Sequence, residues 1–153
     1  MKQLARQLGT ITFWAAWPVL FLYLQGSQRT RIVLVCDGDV LAIRGWLSDG
    51  KWSLPGGGIK RGERITRAAI RELHEETGLT LTQSSLRFLC KGESRQHGWQ
   101  FTIHCFVVEL QHKPVLKRQR HEIADMQWLS PLELDEHNAG PDVLIPLQAW
   151  VQQ

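Results

Sequence analysis

The stretch Gly57–Leu79, GGIKRGERITRAAIRELHEETGL, decides how the rest of this chain is read. With Gly56 it opens as a glycine-rich loop, Gly56-Gly57-Gly58-Ile59-Lys60-Arg61-Gly62. It then becomes helical in pattern from about Arg64 to Thr77. Ile65, Ala69, Ile70 and Leu73 supply a stripe to bury, and Gly78 supplies a left-handed stop. Glu72, Glu75 and Glu76 fall on one side of that helix, because positions i, i+3 and i+4 share a face. Like charges at this spacing weaken a helix by roughly a few tenths of a kcal/mol per pair. A hard, oxygen-preferring cation such as Mg²⁺ or Mn²⁺ reverses the sign of that effect. On spacing alone the cluster is either a cation site or a solvated acidic face.

The complete spacing is more specific. Gly57, five residues, Glu63, seven residues, then Arg71-Glu72-Leu73-His74-Glu75-Glu76-Thr77-Gly78-Leu79 resembles the Nudix box at each of its specified positions. The resemblance implies a diphosphate hydrolase with the α/β fold of that family, an α/β/α sandwich around a mixed β-sheet. It implies Mg²⁺, with Mn²⁺ as a substitute, held by Glu72, Glu75, Glu76 and the carbonyl of Gly56, one of the glutamates also serving as general base. Glycine suits that position because the main chain must approach the ion closely. Glu63 and Arg71 are implied as supports, Arg71 through a forked pair with a box carboxylate. Arg71 is thereby counted with Glu72, Glu75 and Glu76 in the catalytic set. Outside the box, Glu122, six positions before Trp128, matches a further acidic ligand seen in many members, with Asp125 as its competitor.

With 153 residues, 22% charged and 43% apolar, the chain fits one globular domain. A net charge of +3 suits anionic substrates or anionic lipid and gives no reason to expect a nucleic-acid partner. Cys36, Cys90 and Cys105 are odd in number and far apart, which excludes a zinc motif or a disulfide framework and predicts buried thiols in a reducing compartment.

No charged residue occurs from Gln7 to Gln28. Residues 8–24 form a hydrophobic N-terminal helix at the lower limit of what crosses a bilayer, with Trp14, Trp17 and Tyr23 of the type that favours its interface. Residues 1–28 are therefore expected to be a membrane-lipid anchor and linker, with residues 29–153 as the hydrolase domain on the cytoplasmic side. A helix packed on the domain is the competing reading of the same segment.

Asp37-Gly38 between two apolar runs signals a hairpin. Strands are expected at Leu86–Cys90, Trp99–Leu110 and Ile123–Leu129. A short helix is expected at Leu132–His137, and an amphipathic one after Pro141 that faces the body with Val143, Leu144, Leu147 and Val151. Arg44, Trp46 and Trp52 flank the glycine loop as candidate substrate contacts, the tryptophans equally as core. The run His112–His121, with Lys113, Lys117, Arg118 and Arg120, is either a phosphate-binding loop or a solvated one. The leading substrate is a nucleoside triphosphate, by the absence of other subgroup signatures. A lipid-linked or isoprenoid diphosphate, or a membrane-tethered nucleotide sensor without turnover, are the alternatives.

Overall fold

The computed structural model describes residues 11–12, 14–16, 26–46, 48–96, 98–119 and 121–153. Among the described residues, five strands and two α-helices build the domain: β1 (Gln28–Cys36), β2 (Asp39–Gly45), α1 (Ile65–Thr77), β3 (Arg87–Gln96), β4 (Trp99–Leu110), β5 (Ile123–Leu129) and α2 (Pro141–Val151). The strand order is β3-β4-β1-β2-β5, with β1 and β4 parallel and the other neighbours antiparallel. The sheet is mixed, as expected.

β1 is buried on both faces, which its β-branched run Thr30–Val35 allows. Ile32, Leu34, Leu41, Phe106 and Val108 meet Ala69 and Leu73 of α1 on one face. On the other face Val33, Val35, Ala42 and Val107 meet Val143 and Leu147 of α2. Two helices over opposite faces of one sheet make the α/β/α sandwich. The β1–β2 hairpin closes through Asp37 (φ 53°) and Gly38 (φ 81°), the doubly positive pair that matches strand twist.

β1 pairs with β2 only at its far end, Val35 with Val40 and Cys36 with Asp39. Along its first half the glycine loop takes that place. Thr30 N–H donates to Gly57 O, Ile32 N–H to Pro55 O, and Ile59 N–H to Gln28 O, at 2.8, 2.8 and 3.0 Å. Gly56 has φ 139°, and a Cβ there would lie 2.2 Å from Thr30 O. The loop is thus laid against the sheet, and it starts α1 from a fixed point.

Several expectations need correction. The segment expected to be a helix at Leu132–His137 is one 3₁₀ turn, Pro131–Glu133. Ser130 and Glu133 close a capping box, and Asp135 then accepts from the N–H groups of His137 and Asn138, turning the chain away. Val151 is 68% exposed, while its neighbour Trp150 is the residue of that turn packed against the core. β3 continues to Gln96, held by a register with β4 that its short apolar run did not announce. Ile65 and Ile70 are half-buried, and Ala68 takes part of their place in the buried stripe. Cys36 and Cys105 are buried but Cys90 is only half so; all three are free thiols.

Of the N-terminal segment, residues 11–12 and 14–16 are helical, with Ile11 and Trp14 exposed. The expected anchor over residues 8–24 otherwise lies outside the described residues. Among the described residues no helix is long and apolar enough to cross a membrane.

Candidate active site

Arg71 organises the acidic face of α1. Its Nε and Nη2 donate to the two oxygens of Glu63, both at 2.8 Å, which is the forked pairing that a planar guanidinium favours. Nη1 donates to Glu72 at 2.7 Å and Glu75 at 3.1 Å, and Nη2 also donates to Gly58 O at 3.1 Å. One side chain therefore ties the helix start, two box carboxylates and the glycine loop together. The Arg71 hydrogen bonds hold the Glu63 carboxyl down at about 2 against its partial burial, with help from the Lys60 N–H. Glu63 is ionised at any working pH.

Glu76 points the other way, into the seam between α1 and the loop. It is buried, and its carboxylate accepts the Gly56 N–H at 2.8 Å. Burial pushes its pKa up to about 8; the Gly56 bond and Arg31 oppose this, while the charges of Glu72 and Glu122 add to it. Glu72 lies against the loop as well: a Cβ on Gly57 would stand 2.5 Å from its carboxyl. Glycine at 57 leaves room for a carboxylate, and glycine at 56 leaves room for the backbone of β1. Glu75 is the most open of the three, with its side chain 45% exposed.

Glu122 lies on a loop from a distant part of the chain that docks on the end of α1, and its charge is felt at Glu76. Lys117 N–H donates to Thr77 O and Gln119 N–H to Glu76 O, so the loop before β5 docks on the end of α1. Trp46 N–H then donates to Glu122 O at 2.9 Å. Asp125, the competitor, is engaged locally by Met126 N–H and the Gln127 amide. The remaining candidates are partly occupied. Arg118 donates to Ala124 O, Lys113 pairs with Asp39 at 2.7 Å, and Arg44 lies 3.8 Å above the Trp52 ring. Trp52 is core. His74 is exposed and bonds Thr80. Arg120 lies outside the described residues.

The donor set suits a hard cation: carboxylates on two sides of a loop whose glycines permit close approach, one of them buried with its charge opposed. Among the described residues no three acidic, histidine or cysteine side chains already converge on one point.

Sequence reading missed the residues behind the loop. Arg31, buried, is bound twice to Asp142 of α2 at 2.6 and 2.8 Å and donates to Thr30 O. The available signal was a charged residue inside an otherwise apolar strand, but its partner is 111 residues away. Arg29, two positions before it, was missed because its neighbours Gly58 and Phe101 are also distant in sequence.

Residues 26–148 match the NUDIX domain family. The chain is 34% identical over 132 residues to Nudix hydrolase 5 of Arabidopsis thaliana, covering 80% of this chain and 43% of that protein. It is 31% identical over 108 residues to a MutT-like protein of Streptomyces ambofaciens, covering 71% and 66%. The chain thus spans less than half of the first relative and just under two thirds of the second. The structure superposes on a MutT NUDIX hydrolase from Burkholderia pseudomallei with a TM-score of 0.71 at 22% identity, over 82% of this chain and 98% of the other, a likeness of fold.

Proposed function

The chain belongs to the Nudix hydrolase family, and from that premise we propose that it hydrolyses a diphosphate linkage in a nucleoside diphosphate derivative, with a nucleoside triphosphate as the leading substrate. The observation that carries the reading is the seam itself. Glu72 and Glu76 face the Gly56–Gly57 main chain from α1, and Glu122 is electrostatically coupled to Glu76 from the loop before β5. In this proposal Glu72, Glu75, Glu76, Glu122 and the Gly56 carbonyl hold Mg²⁺, or Mn²⁺ in its place. When bound, such ions withdraw charge from phosphate oxygens and lower the pKa of a bound water.

The chain's own residues do the rest. Arg71 and Glu63 fix where Glu72 and Glu75 stand, so that little reorganisation is left for the reaction. Glu75, exposed at the mouth, is the carboxylate with room to take a proton from an entering water. Trp46, Arg44, Lys117 and Arg118 are assigned in this proposal as contacts for the substrate beyond its diphosphate.

The triphosphate reading rests on the absence of other subgroup signatures; the apolar run at residues 8–24 favours a second, a lipid-linked or isoprenoid diphosphate met at a membrane. A panel of nucleoside triphosphates, dinucleoside polyphosphates, nucleotide sugars and isoprenoid diphosphates, assayed for phosphate release with Mg²⁺, separates them. Turnover confined to one class identifies the substrate. Equal inactivity of wild type and of Glu75→Gln and Glu76→Gln variants on every compound would leave a nucleotide-binding domain without turnover. Fractionation of the intact chain tests the anchor, which fails if the protein stays wholly soluble without detergent.

A further inference from the structure

Arg29 is placed as a ligand-binding group is placed, and nothing in the mechanism above uses it. It stands near the start of β1 as the antiparallel bridge partner of Gly58, so it is cross-strand from the glycine loop. Directly opposed residues project to the same face of a ladder. On that face Gly58 leaves open space: a Cβ there meets nothing within 4 Å. The Arg29 guanidinium lies over the Phe101 ring, 5.4 Å from its centroid. Its Nε is buried and has no hydrogen-bond partner among the described residues. Burial and the neighbouring Arg31 lower its pKa to about 10, so it is charged at neutral pH, while the charges of Asp142, Glu72 and Glu76 partly oppose the lowering.

The contrast with Arg31 matters. Two residues further along the same strand, Arg31 is fully engaged by Asp142 and Thr30 O, as a structural arginine should be. A role for Arg29 in packing alone would need only its stem against Phe101. A buried donor left unbonded costs stability, so packing does not account for the guanidinium.

We propose that Arg29 is a substrate-binding residue whose guanidinium, held flat by Phe101 beside the open face of Gly58, donates a forked pair of hydrogen bonds to phosphoryl oxygens of the substrate. This rests on the reading of the site as one for diphosphates. A planar guanidinium matches two oxygens of one phosphoryl group, which a lysine ammonium does not. A ring contact of this kind restricts the side chain before the substrate arrives and lowers the cost of ordering it. Arg29 would then complement the acidic side of the site, taking the part of the diphosphate that the cations do not neutralise.

The test uses the full chain and methylenediphosphonate, a non-hydrolysable diphosphate, titrated by calorimetry with Mg²⁺ present. Arg29→Ala is expected to weaken its binding at least about tenfold, the usual consequence of losing a hydrogen bond to a charged group. Arg29→Met, which keeps an apolar stem on Phe101, is expected to do the same with an unchanged or raised melting temperature, and to serve where the alanine variant fails to fold. With a turned-over nucleotide, KM should rise and kcat change little. Diphosphonate affinity within twofold of wild type in a folded variant overturns the proposal, as does a loss confined to kcat and melting temperature. An absence of turnover on every compound counts against the hydrolase reading alone, because the diphosphonate titration decides Arg29 in either case.

Discussion

Arg71 donates five hydrogen bonds to four different residues, and no other side chain can replace that geometry. Arg71→Lys keeps the charge and loses the fork. It is expected to cost roughly 1–2 kcal/mol in denaturant unfolding, and to lower activity about ten- to hundredfold because Glu72 and Glu75 lose their support. Glu76 makes a prediction about pH. Its folded-state pKa of about 8 lies above the ordinary 4.5, so between those values the folded chain binds a proton more tightly than the unfolded one. Its contribution to stability is complete below about pH 4.5 and is lost as pH rises through about 8. Without added metal, the melting temperature should fall from pH 5 to pH 8, and Glu76→Gln should flatten that fall. A wild-type profile with no such decline, or one unchanged by the substitution, would show that Glu76 titrates normally.

At the scale of elements, the glycine loop and α1 work as one unit. The two glycines of the seam make opposite predictions. Gly57→Ala puts a methyl against the flexible end of Glu72, which can swing away; stability should change by less than about 1 kcal/mol while activity falls sharply. Gly56→Ala meets the main chain of β1 at a φ that only glycine tolerates, and should cost more than about 2 kcal/mol by chemical denaturation. If the two variants behaved alike, the loop would not be divided as described. This unit was also the most legible part of the sequence. The helix, its left-handed stop at Gly78 and the hairpin at Asp37-Gly38 are local events governed by local chemistry, and strands β4 and β5 were bounded to the residue. The turn after Ser130 was misread because Pro131 resembles a helix start, while Asp135 ends it within one turn.

The whole molecule depends on contacts that no local pattern announces. Arg31 and Asp142 join β1 to the first turn of α2 with their side chains 6% and 8% exposed, and they stand directly behind the glycine loop. Asp142→Ala would strand a buried guanidinium and is expected to destabilise the fold by about 3–5 kcal/mol, read from urea unfolding. Neighbours distant in sequence explain why both arginines escaped the sequence reading, Asp142 for Arg31 and Gly58 and Phe101 for Arg29, whereas Glu72, Glu75 and Glu76 could be named from one helix. Glu122 is intermediate: only its distance from Trp128 pointed to it, and residues 117–119 dock its loop on α1, where its charge is felt at Glu76. The central claim is that these carboxylates make a cation site for diphosphate hydrolysis. Its most direct test is phosphate release from nucleoside triphosphates with Mg²⁺, measured side by side for wild type and Glu76→Gln. The account predicts turnover by wild type and, since losing even an outer support costs ten- to hundredfold, a loss of about a hundredfold or more in a variant that melts no lower. Equal rates in the two proteins would contradict it.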